Sequence, residues 1–155
     1  MDFAKPEDIV AFAIEKEREA ADFYQTLSGQ QQFADKQKML LEFAAEERKH
    51  ERLLEDLRAG KVGGQLDDYQ FKWITDIKRS DYVEETPYTA DMGYRELLML
   101  AMKREEKALS LYNRMLAGTR DAQAGKLFKM LCQEEAKHKL TLETMYDDYM
   151  AQMGD

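Results

Sequence analysis

The chain has two histidines, His50 and His138, and each stands three residues after a glutamate. The segments read Glu47-Arg48-Lys49-His50 and Glu135-Ala136-Lys137-His138. On an α-helix, residues at i and i+3 share a face, so each segment aims a carboxylate and an imidazole the same way. Such a pair can hold a metal ion. A further glutamate stands 30 residues before each pair, Glu17 before Glu47 and Glu105 before Glu135. The whole set repeats at an offset of 88 residues without insertion: Glu17-x-x-Ala20-x-x-Phe23-Tyr24 recurs as Glu105-x-x-Ala108-x-x-Leu111-Tyr112. Self-similarity of this kind marks a duplicated structural unit.

Each of these carboxylates lies in an apolar stripe at helical spacing. Glu17 shares its face with Val10, Ala13, Ile14, Ala21, Tyr24 and Leu27. The Glu47 and His50 face carries Leu40, Phe43, Ala44, Leu54 and Leu57. Glu105 sits among Leu98, Ala101, Met102, Leu109, Tyr112 and Leu116, and Glu135 and His138 among Phe128, Leu131, Cys132, Leu142 and Met145. Four ionised carboxylates in a core would repel each other and cost several kcal/mol apiece in lost hydration. Two divalent cations would balance all four, with the two histidines as neutral ligands. A lone Glu from each of two helices plus Glu-x-x-His from each of two others is a dinuclear carboxylate arrangement. Carboxylate oxygen with imidazole nitrogen suits iron(II) or manganese(II), and zinc binds such a set as well.

The elements that position these residues are helices. Pro6, followed by Glu7 and Asp8, opens a helix that runs to Ser28 before Gly29. A second is expected from about Phe33 to Ala59, ending at Gly60. Residues 61–88, broken by Gly63, Gly64 and Pro87, form a long connection with a short helix expected around Tyr69 to Ile77. A third helix is expected from near Asp91 to Leu116-Ala117, and a fourth from about Arg120 to near Tyr149. The two outer connections are short, so the helices pair as antiparallel hairpins. The midpoint of Glu17 and Glu47 is residue 32 and that of Glu105 and Glu135 is residue 120, both inside turns. All four glutamates therefore stand about 15 residues, roughly 22 Å, from a turn and share one layer. Two hairpins joined by one long crossover make an all-α, ferritin-like antiparallel four-helix bundle, here a single domain spanning residues 1–155.

A net charge of −8 and a pI near 4.9 disfavour nucleic acid and anionic membrane surfaces as partners. The single cysteine, Cys132, excludes an intrachain disulfide and a thiolate metal site. The N-terminal residues do not read as a signal peptide, and Leu97–Met102, the longest apolar run, is far short of a membrane span, so a cytoplasmic location is expected.

Over roughly residues 7–149 the pattern resembles the rubrerythrin-like branch of the ferritin-like superfamily. The resemblance implies metal ligands at Glu17, Glu47, His50, Glu105, Glu135 and His138, with Glu47 and Glu135 in the bridging positions. It implies a di-iron oxidoreductase that reduces hydrogen peroxide or oxygen. Two departures stand out. Many peroxide-reducing rubrerythrins carry a further Glu where this chain has Ala108. They also often carry a four-cysteine rubredoxin-like domain, absent here, so electrons are expected from a separate electron-donor protein. The alternatives are non-enzymatic iron handling, as a ferroxidase or storage protein, and a structural bundle that its metal stabilises. Against cage-forming storage, only Met150 to Asp155 follows the fourth helix, which is expected to leave no room for a fifth.

Tyr24 and Tyr112 each follow a candidate ligand by seven residues. Their phenols either hydrogen-bond a ligating carboxylate of a neighbouring helix or are core aromatics satisfied elsewhere. Cys132 reads as a small buried apolar residue, and the methionines as core filler. Tyr69, Phe71, Trp73 and Ile74 are expected to pack the crossover onto the bundle, with a subunit contact in a homodimer as the alternative.

Overall fold

Four helices pass up and down the bundle: α1 (Pro6–Ser28), α2 (Gln37–Arg58), α3 (Tyr94–Gly118) and α4 (Ala122–Met153). The computed structural model describes residues 5–61, 66–82 and 87–153; Met1 to Ala4, Gly63 and Gly64 lie outside them. There are no strands among the described residues. The hairpin partners pack closely, α1 on α2 and α3 on α4, and α1 meets α3 more sparsely. This is the all-α ferritin-like bundle that the spacing implies.

The helix ends follow local chemistry. α1 starts with Pro6 in its first turn and has Glu7 and Asp8 at its positive end. α2 ends in a Schellman motif: Gly60 takes φ +71° and donates to the Leu57 carbonyl at 3.0 Å, and Lys61 donates to Asp56 at 2.8 Å. Gly29, by contrast, stays right-handed at φ −89°. The backbone N–H of Gln123 donates to Asp121 Oδ1 at 3.3 Å, so Asp121 caps α4.

Three boundaries shift from expectation. α2 starts at Gln37 rather than Phe33, after a 3-10 stretch, Gln31–Lys36, that kinks at Phe33. Phe33 is fully buried and stacks on Tyr94 with centroids 4.7 Å apart, so it plugs the end of the bundle instead of starting a helix. Gly93 is extended, which delays α3 from Asp91 to Tyr94. α4 runs on past Tyr149 to Met153.

The short helix expected at Tyr69 to Ile77 does not form. Its backbone groups bond to α4 instead. Lys72 N–H donates to Gln133 Oε1 at 2.8 Å, and Gln133 Nε2 donates to the Gln70 carbonyl at 2.9 Å. Aromatic and β-branched residues there favour extended backbone over helix. Tyr69 and Phe71 do pack against the bundle, but Trp73, just beyond the Gln133 clamp, is 88% exposed. Its expected packing role is therefore wrong.

Further along, buried Ser80 anchors the crossover, its N–H donating to Glu143 at 2.7 Å and its hydroxyl to Glu106 at 2.6 Å. Lys139 is nearly as buried, and its Nζ reaches Glu143 at 3.2 Å and Asp76 at 2.7 Å. Removing one partner of a buried pair leaves an uncompensated charge. Lys139→Met should lower the unfolding free energy by about 3 kcal/mol in urea titrations, and adding Glu143→Gln should recover part of that loss. Equal stability of the single and double variants would refute the pairing.

The core divides into two apolar clusters. One gathers Tyr24, Leu27, Phe33, Leu40, Leu98 and Leu142. The other gathers Ile14, Leu54, Tyr112, Leu127 and Leu131. The polar layer lies between them.

Candidate metal centre

Nearly three turns of α1 separate buried Ile14 from buried Tyr24, and Glu17 falls within that interval, only 2% exposed. The same helical register buries Glu47 and His50 of α2, Glu105 of α3, and Glu135 and His138 of α4. The six side chains form two four-residue groups whose ligating atoms all lie within 4.8 Å of one another. One is Glu17, Glu47, His50 and Glu135; the other is Glu47, Glu105, Glu135 and His138. Glu47 and Glu135 belong to both. His50 Nδ1 lies 2.9 Å from Glu135 and 3.4 Å from both Glu17 and Glu47. His138 Nδ1 lies 3.2 Å from Glu47 and 3.6 Å from Glu105.

Several of these atoms have no hydrogen-bond partner. Glu17 Oε2, Glu47 Oε1, Glu105 Oε2, Glu135 Oε2 and His138 Nδ1 are all buried and unsatisfied. Glu47 Oε1 and His138 Nδ1 are close enough but not aligned for a hydrogen bond. An orphaned buried acceptor costs about 1–3 kcal/mol, and more when charged. The four carboxylate oxygens carry lone pairs, as does Nδ1 of a neutral His138, so cations placed among them would satisfy all five. The donor set fits metal, and the cluster is able to hold it.

Without metal the layer must share protons. Burial, helped by the neighbouring Glu47 charge, pushes Glu17 up to about 8. Burial and the Glu105 and Glu47 charges push Glu135 well above the usual carboxylate range. Burial also opposes ionisation of Glu47, but His138 and His50 outweigh it and hold that carboxyl well below its ordinary value. Burial works against protonation of His50, yet Glu17 and Glu47 raise it well above the usual imidazole value.

The two tyrosines reach across the bundle. Tyr24 of α1 donates to Glu105 Oε1 of α3, and Tyr112 of α3 donates to Glu17 Oε1 of α1. Each phenol engages one carboxylate oxygen and leaves the other, Oε2, among the orphans. Their hydroxyls are thus satisfied at the candidate ligands themselves. Partners that orient a ligand are worth 10–100-fold in metal affinity. Tyr24→Phe or Tyr112→Phe should weaken metal binding by about tenfold or more in a competition titration, with the fold unchanged by circular dichroism. An unchanged affinity in both would show that the phenols are packing groups only.

Glu46 is a residue that the spacing did not single out. Its Oε2 lies 2.5 Å from His138 Nε2, so His138 is held from outside while Nδ1 faces the layer. The signal was in the repeat, since Glu46-Glu47 recurs as Glu134-Glu135 at the same offset. The two copies then diverge. Glu134 accepts from Tyr69 at 2.6 Å and from Lys137 at 2.7 Å. Cys132 is half-buried beside Asn113, and burial pushes its thiol up to about 11, which leaves it protonated at neutral pH.

A cavity of about 440 Å³ lies along the α1–α3 seam. Glu17, Glu47, Glu105 and Glu135 are at its buried end, and Ala20 and Ala108 line its walls. No helix among the described residues is long and apolar enough to cross a membrane.

Comparison with known proteins agrees with this geometry. No curated protein matches the chain. A solved structure of a hypothetical protein from Pyrococcus furiosus is similar in fold, with a TM-score of 0.70 at 24% identity, covering 92% of this chain and 89% of that one. The family model for Rubrerythrin matches residues 8–146. With a ferritin-like bundle, a buried carboxylate and histidine layer and a family match over nearly its whole length, the chain belongs to the rubrerythrin family.

Proposed function

We propose that the chain is a di-iron oxidoreductase of rubrerythrin type that reduces peroxide with electrons from a separate donor protein. In this reading Glu17, Glu47, His50, Glu105, Glu135 and His138 would hold the metal, with Glu47 and Glu135 shared between the two groups. The observation that carries it is the pair of overlapping four-residue groups whose orphaned atoms converge in one buried layer. Iron bound there would supply one electron per ion as iron(II) becomes iron(III). The chain's part is to hold and exclude. Four carboxylates match the charge of two divalent ions, the tyrosines fix Glu17 and Glu105, and Glu46 fixes His138. The apolar clusters above and below keep water out, so the open approach is the seam cavity.

Anaerobic loading with iron(II), metal analysis and stopped-flow mixing test the reading. About two ions per chain are expected, and faster oxidation by hydrogen peroxide than by oxygen. Ala108 bears on the rate. It lines the cavity beside the carboxylate layer, so a glutamate at that position has room to reach the site. Ala108→Glu should react faster with peroxide if one more carboxylate helps to stabilise the oxidised charge. Faster consumption of oxygen than of peroxide, with ferric mineral accumulating, would replace this reading with iron storage.

A further inference from the structure

Hydrogen peroxide needs little more space than water, whose share of the liquid is about 30 Å³. The seam cavity, at about 440 Å³, lies in the range of sites that take small organic molecules. Its chemistry changes along its length. The inner end is the layer of four glutamates, and the walls include Phe12, Ala20, Ala108 and Leu111. The outer end carries Arg104 and Arg114 together with Lys16, Lys107 and one carboxylate, Glu19, which pairs with Lys16. Phe12 and Leu111 are half-buried, and Arg114 is exposed, so the cavity runs from solvent to the buried layer.

The two arginines are not tied up in ion pairs as several surface arginines are. Arg18, Arg48 and Arg79 all pair with carboxylates. Arg104 lies over the Phe23 ring at 4.4 Å, and neither it nor Arg114 has a carboxylate partner among the described residues. In a chain of net charge −8, unpaired cations at the mouth of an apolar passage favour an anion at that end. With two divalent ions bound the four carboxylates are charge-balanced, so the arginines at the mouth set where an anionic group sits. A molecule held here lies with its charge outward, an apolar body along the walls and an uncharged reactive end inward.

We propose that the cavity binds a small organic acid, and that the physiological oxidant is an organic hydroperoxide carrying a carboxylate at its far end. The hydroperoxide assignment rests on the peroxide-reducing reading above. Reduction breaks the O–O bond, takes up two electrons from the external donor through the centre and two protons, and leaves an alcohol and water.

Binding is measured by calorimetry on protein loaded with redox-inert zinc, with octanoate as the probe and 1-octanol and octylammonium as controls. Octanoate should bind, 1-octanol more weakly and octylammonium not at all. Arg104→Gln combined with Arg114→Gln should weaken octanoate by about tenfold or more and leave 1-octanol unchanged. Ala108→Phe should abolish binding of both while the metal content stays at that of the parent protein. If that variant fails to fold, Ala20→Leu on another wall of the cavity should have the same effect. Absence of octanoate binding, equal binding of octylammonium, or binding indifferent to both wall variants would overturn the proposal. Oxidation of the iron(II) form by hydrogen peroxide without octanoate binding would overturn this inference alone. Octanoate binding with no oxidation by any peroxide would overturn the peroxide reading and the hydroperoxide assignment with it.

Discussion

Stripping the metal at pH 8 should lower the melting temperature by about 20 °C. Each site held at 1,000 times its dissociation constant contributes about 4 kcal/mol, and a domain of this size moves roughly 2–4 °C per kcal/mol. The pH dependence distinguishes this from generic ligand stabilisation. In the metal-free protein, burial raises Glu17 to about 8 and Glu135 well above the carboxylate range. His50, despite its burial, is raised well above its ordinary value by Glu17 and Glu47. Folded chains therefore hold more protons than unfolded ones between about pH 5 and 8, and stability falls as pH rises. Glu47, held low by the histidines against its burial, adds stability that is lost only in acid, below the ordinary carboxylate range. Metal binding releases the shared protons, so affinity rises over the same range. The stability gap between loaded and metal-free protein should widen steadily from pH 5 to pH 8. A gap that is flat or narrows in thermal melts across that range would contradict the proton-sharing account. Glu17→Gln with Glu105→Gln should raise the metal-free melting temperature at pH 8 and abolish two-metal binding.

Glu47→Gln should cost both metal ions, and Glu17→Gln only one. Glu47 and Glu135 offer ligating atoms to both four-residue groups, whereas Glu17 belongs to one and Glu105 to the other. A neutral amide at position 47 removes one carboxylate from each site and leaves fewer negative charges than two divalent ions require. Affinity at both sites should fall by more than about 100-fold, the upper end of what losing an orienting partner alone costs. Metal content after gel filtration should drop from about two to near zero in Glu47→Gln and to about one in Glu17→Gln. Circular dichroism confirms that each variant is folded. One tightly held ion in Glu47→Gln would mean that the carboxylate does not bridge.

The residues that meet in the layer were legible because a helix fixes both face and height locally. Spacing of three or four residues set the face, and equal distance from residues 32 and 120 set the height. The exact repeat linked the two hairpins, so Glu17, Glu47, His50, Glu105, Glu135 and His138 could be placed together without knowledge of the packing angles. What surrounds them depends on how one hairpin sits against the other. The Tyr24–Glu105 and Tyr112–Glu17 bonds cross from α1 to α3, between hairpins, and periodicity could only leave the fate of those phenols open. The sparse contact of α1 with α3, and so the seam cavity beside Ala108, has the same origin. The crossover is the clearest case. Gln133 takes the backbone bonds of Gln70 and Lys72 from 61 residues or more away, so no local signal could show that they go to α4, or that Trp73 is left in solvent. Short-range geometry determined the layer of carboxylates and histidines, and the long-range pairing of the hairpins decided how it is oriented, covered and reached.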